Sequence, residues 1–136
     1  MKKFGIAIFA GGVAYFLLGG VIYEILLGGF YESNLGSATG VVRDVPVFWA
    51  LALSQFGLAA MVTYVFHHVG VTSAGDGVKT GAIFGLLFGF AISINLFAAT
   101  NWSNMNVALV EPFVTAVRIS LGGAVIGWAL GEESVD

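Results

Sequence analysis

The chain has 136 residues, of which 58% are apolar and only 10% carry a formal charge, against about 25% charged in an average soluble domain. This composition excludes an ordinary soluble protein, and five Lys and Arg residues are too few for a nucleic-acid surface. The net charge of −3 selects no partner, and the absence of cysteine removes disulfides, thiolate metal sites, a cysteine nucleophile and a lipoprotein anchor.

Apolar runs of about 20 residues can cross a hydrocarbon core of about 30 Å as helices. Four such runs follow one another: Phe4 to Leu27, Pro46 to Phe66, Val78 to Ala99 and Pro112 to Leu130. The expected fold is therefore an all-α integral membrane protein, a four-helix transmembrane bundle forming a single domain over residues 1–136. The first run exceeds the roughly 7 to 15 residues of a signal-peptide core, so it is read as a mature helix. Turn-forming residues fill the connections: Gly28, Gly29, Ser33, Asn34 and Gly36, then Gly70, Ser73, Gly75, Asp76 and Gly77, then Asn101, Ser103, Asn104 and Asn106. Pro46 and Pro112 are expected in the first turn of their helices, where a missing N–H costs nothing, each preceded by an acid (Asp44, Glu111) suited to the positive end of the helix dipole.

Lys2, Lys3 and Lys79 fall on one side of the expected membrane and only Arg43 on the other, which predicts that both termini are cytoplasmic. Tyr23, Tyr31, Trp49 and Trp102 are expected at the outer boundary, and Phe4, Tyr64 and Trp128 at the inner one, as amphipathic rings sit at lipid headgroups.

The segment from Pro46 to Ala60 aligns without gaps on Pro112 to Ile126, matching Ala50 with Ala116, Ser54 with Ser120 and Gly57 with Gly123. Two parallel two-helix repeats are one reading of this, and chance similarity between apolar segments is the other. Small residues also mark expected helix contacts, because in lipid close backbone approach supplies the packing. Gly77, Gly81, Gly85, Gly89 and Ser93 recur every fourth residue on the third helix, while Ala116, Ser120, Gly123, Gly127 and Gly131 share a face of the fourth. Packing inside the bundle and a subunit interface are the two uses open to them.

The polar residues within the spans are Glu24, Gln55, Asn95 and Arg118. Counted from the expected outer ends of their helices, Glu24, Asn95 and Arg118 lie within about 5 to 10 Å of the outer surface. An intramembrane charge seeks a partner, so Glu24 is expected to contact Arg118 directly or through Asn95; Arg118 can alternatively snorkel to the headgroups or to Glu111. Gln55, nearest the midplane, suits an interhelical hydrogen bond. His67 and His68 read as interfacial histidines, since neighbouring helical residues point about 100° apart and no carboxylate stands at i+4. Gly75-Asp76-Gly77-Val78-Lys79-Thr80 departs from a phosphate loop because Val78 interrupts the required Gly-Lys-Thr. No catalytic constellation or cofactor motif appears.

Three segments carry a resemblance: Phe16-Leu17-Leu18-Gly19-Gly20 followed by Tyr23, Gly81 through Gly89, and Gly122-Gly123-Ala124-Val125-Ile126-Gly127-Trp128. In order and spacing the chain resembles a large group of small four-helix bacterial membrane proteins of unknown function, although Ile22 stands where such proteins often carry tryptophan. The resemblance implies the same fold and no activity. The expected role is non-enzymatic, an assembly or accessory subunit in contact with membrane lipids and either a second copy or another membrane protein. A small transporter or channel built on the polar cluster is the alternative, and an intramembrane enzyme the third reading.

Overall fold

Each apolar run folds into a helix long and apolar enough to span a bilayer, giving four such helices among the described residues and an all-α bundle. The structure, a computed structural model, describes residues 1–132. Helix α1, Lys2–Gly19, continues into a π-helical segment, Gly20–Leu26, and a short helix α2 follows at Gly28–Ser33. The remaining spans are α3, Phe48–His68, α4, Ala74–Ala99, and α5, Met105–Gly131.

Three helix starts differ from expectation. Helix α3 begins at Phe48 after Val47, so Pro46 precedes the helix instead of lying in its first turn. The other two begin earlier than expected because polar caps lie further upstream than the glycines and Pro112 suggest. Ser73 caps α4: its Oγ accepts from the Asp76 N–H at 3.1 Å and donates to the Asp76 carboxylate at 2.8 Å. Gly75, Asp76 and Gly77 therefore belong to the first helical turn and not to the loop. Asn104 caps α5 by accepting from the Val107 N–H at 3.2 Å. The helix thus begins seven residues before Pro112, which lies inside it.

A proline inside a helix leaves the carbonyl four residues earlier without its donor. Here that carbonyl belongs to Ala108, and the buried Ser93 hydroxyl of α4 donates to it at 2.8 Å, the kind of repair from a neighbouring helix that membrane interiors require. Ser93→Ala is expected to cost about 1 to 3 kcal/mol by stranding the carbonyl. Pro112→Ala restores a local N–H, so the serine should matter much less in that background. A double-mutant cycle on denaturant unfolding in micelles measures this coupling, and an unchanged serine effect would break the link.

Helices α4 and α5 pack along each other over most of their lengths. A Cβ on Gly81 would stand 2.7 Å from the Ile119 carbonyl oxygen, and one on Gly89 2.9 Å from the Pro112 Cα. From the other side, a Cβ on Gly123 would stand 2.6 Å from the Gly77 carbonyl oxygen, and one on Gly127 3.1 Å from the Gly77 Cα. Ser120 donates to the Val78 carbonyl at 3.0 Å. The two small-residue faces are therefore occupied by each other within the chain. Helix α1 packs on both α3 and α5, and Tyr15, Val62, Phe66, Ile119 and Ile126 are fully buried where these three meet.

Helix α3 touches α4 at few points. The described ends of α1 and α5 lie together, since Lys3, His67, His68 and Leu130 line one cavity of about 570 Å³. At the opposite end the two loops hold each other: the Gly36 N–H donates to the Trp102 carbonyl at 3.0 Å, and the Asn104 side chain donates to that of Asn34 at 2.9 Å. Of the two segments aligned in the sequence, one has its proline ahead of α3 and the other has its proline inside α5.

Candidate membrane-embedded polar site

Arg118 stands thirteen residues from either end of α5, about 20 Å in from each at 1.5 Å per residue. It is a cation near mid-bilayer, where insertion of a charge costs about 2.5 to 3.5 kcal/mol or more. Its Nη2 donates to the Gln55 side-chain oxygen of α3 and to the Tyr15 carbonyl of α1 at 3.4 Å, both neutral acceptors. The rings of Tyr15 and Tyr23 lie 5.8 and 5.6 Å from the guanidinium carbon, within cation–π range. Its Nε is buried without a hydrogen-bond partner among the described residues.

The π segment explains how two tyrosines eight residues apart meet one guanidinium. In an uninterrupted α-helix, Tyr23 would be rotated about 80° from Tyr15. The wider π turn, marked by the Leu27 N–H donating to the Ile22 carbonyl at 2.9 Å, advances each residue by less and brings Tyr23 back towards α5.

Glu111 lies two turns from Arg118 on nearly the same face of α5. Its carboxylate accepts from the Tyr23 hydroxyl at 2.7 Å, from the Tyr31 hydroxyl, and from Thr115 at 3.4 Å. Tyr31 ties the short helix α2 to α5. Burial, the hydrogen bond to Glu111 and the charges of Glu111 and Tyr23 push the Tyr31 phenol well above its ordinary range, so it remains a donor at neutral pH. Glu111, Thr115, Arg118, Tyr23, Phe88 and Ser93 help to line a cavity of about 190 Å³.

The structure joins Gln55 to Arg118 but does not bring Glu24 or Asn95 there. Glu24 and Asn95 are exposed near the ends of their helices, and the expected ion pair between Glu24 and Arg118 is replaced by Gln55 and the tyrosines. The reason is partly depth: α5 starts at Met105, so Arg118 is far deeper than a helix starting at Pro112 implies. The other reason is direction, because adjacent helical residues diverge and Tyr23 takes the inward position beside Glu24. The hydroxyls of Tyr23 and Tyr31 are turned to Glu111. Sequence reasoning assigned no inward role to Tyr15 or Thr115 and placed Glu111 at a helix start. The signal for the last two was the spacing Glu111, Thr115, Arg118, which is i, i+4, i+7.

His67 and His68 are exposed, and His68 Nδ1 lies 2.8 Å from the Tyr64 carbonyl oxygen. No group of three or more His, Cys, Asp or Glu that could hold a metal occurs among the described residues. Comparison with protein families, curated proteins and solved structures finds no match.

Proposed function

We propose that the chain is a non-enzymatic integral membrane protein that acts as an assembly or accessory subunit within the bilayer, with a second copy as its first partner. The observation that carries this reading is the open face of α3. Ala50, Ser54 and Gly57 share one side of that helix at about 100° per residue, Ser54 and Gly57 are exposed, and a Cβ on Gly57 would meet nothing within 4 Å. The small residues of α4 and α5 are already spent on each other, whereas those of α3 leave a face open to close approach by another helix. Gln55, on the opposite side of α3, is held inward by Arg118. In this reading the lysine-bearing end faces the cytoplasm of a bacterial inner membrane, and the likeness to small four-helix bacterial membrane proteins rests on the three glycine-rich segments quoted above.

The absence of cysteine makes the test direct. Gly57→Cys is expected to yield a disulfide-linked dimer under mild oxidation in native membranes, whereas Leu87→Cys, on the 65% exposed lipid side of α4, is not. Cross-linking that is equal at both positions, or absent at Gly57, would remove the reading. A small transporter built on the polar site is the second reading, favoured by one observation, the position of Arg118 beside a cavity at the midpoint of α5.

A further inference from the structure

We infer that the cavity beside Arg118 binds the carboxylate of a single-chain amphiphile, a long-chain fatty acid, entering from the lipid between α3 and α4. The inference goes beyond the assembly reading and does not depend on it. Its basis is a cation that has no counter-ion within hydrogen-bond distance among the described residues. Among the described residues Arg118 donates only to neutral oxygens, and its Nε has no partner. Glu111 on the same cavity wall is engaged elsewhere, its carboxylate accepting from three hydroxyls. A part-buried guanidinium left with neutral acceptors favours an anion that brings its own oxygens, and a carboxylate takes a charge-assisted hydrogen bond from it.

Access and size narrow the class of anion. Leu58 of α3 and Phe88 and Ile92 of α4 line the cavity, and Ile92 is 49% exposed, which puts the inferred entrance on this side of the bundle. These apolar walls suit a hydrocarbon chain trailing out into the bilayer. A volume of about 190 Å³ holds a carboxylate and a few methylenes, and is too small for the glycerol and headgroup of a phospholipid. A single negative charge balances Arg118 with the least repulsion from Glu111 on the same wall, which a doubly charged phosphate monoester would roughly double.

The test titrates the intact chain, in nanodiscs of phosphatidylcholine, with oleic acid labelled with ¹³C at the carboxyl carbon. One saturable site per chain is expected in the carboxyl resonance, with oleyl alcohol failing to compete. Arg118→Gln should weaken binding at least tenfold. Ile92→Trp, which narrows the mouth and leaves Arg118 in place, should weaken it comparably, and it decides the matter alone if Arg118→Gln loses its helical circular dichroism. Undiminished binding in Ile92→Trp or in a folded Arg118→Gln, or equal competition by oleyl alcohol, would overturn the inference. Phosphatidic acid displacing oleate at equal concentration would assign the site to a phosphate headgroup and overturn it as well.

Discussion

Gly85→Leu is expected to part α4 from α5 and to cost about 3 kcal/mol or more, the upper part of the range for overpacking a filled interior. A Cβ at this position would already stand 2.8 Å from the Ala116 Cα and from the Thr115 carbonyl oxygen. Both neighbours are backbone atoms of α5, so no rotamer change relieves the overlap and the helices must separate. Their separation also withdraws Ser93 from the Ala108 carbonyl, adding the cost of an unpaired group in lipid. Leu86→Ala, one residue along on the lipid side and 38% exposed, should cost less than about 1 kcal/mol because lipid refills the space. Gly57→Leu should leave the stability of the isolated chain nearly unchanged, since its surroundings are open. Unfolding in mixed micelles measures all three, and similar losses at Gly85 and Gly57 would contradict the assigned packing.

The four spans and the faces of α4 and α5 were legible in the sequence for one physical reason. Apolar run length is fixed by bilayer thickness, and small residues at helical spacing are fixed by backbone approach, so each leaves a periodic mark. Pro112 misled because its usual place is a first turn. Inside α5 it is tolerated through a hydroxyl on another helix, and Ser93 appears in the sequence only as the last member of a glycine series. That one displacement moved Arg118 outwards and took Glu111 out of the helix, which hid the spacing of the polar site. The π segment hid the rest. Its wider turn sets which of Tyr23 and Glu24 faces inward, and nothing in a 100° wheel anticipates it.

Glu111→Leu is expected to destabilise the chain by about 3 kcal/mol, because the hydroxyls of Tyr23, Tyr31 and Thr115 lose their common acceptor at once and unpaired donors away from water cost about 1 to 3 kcal/mol each. The sum is reduced where Tyr31, only half-buried, can turn towards the headgroup region. Helix α2 should loosen most, since Tyr31 is its side-chain link to α5, and amide exchange across Gly28–Ser33 should accelerate together with the π segment that holds Tyr23. Glu111→Gln keeps an acceptor oxygen and should recover part of the loss while removing the charge. Glu24→Gln is the decisive comparison, because an exposed carboxylate one residue from Tyr23 should contribute almost nothing. If Glu24→Gln cost as much as Glu111→Leu, and α2 exchanged no faster in the Glu111 variant, the network joining α1, α2 and α5 would not be what holds this end of the bundle together.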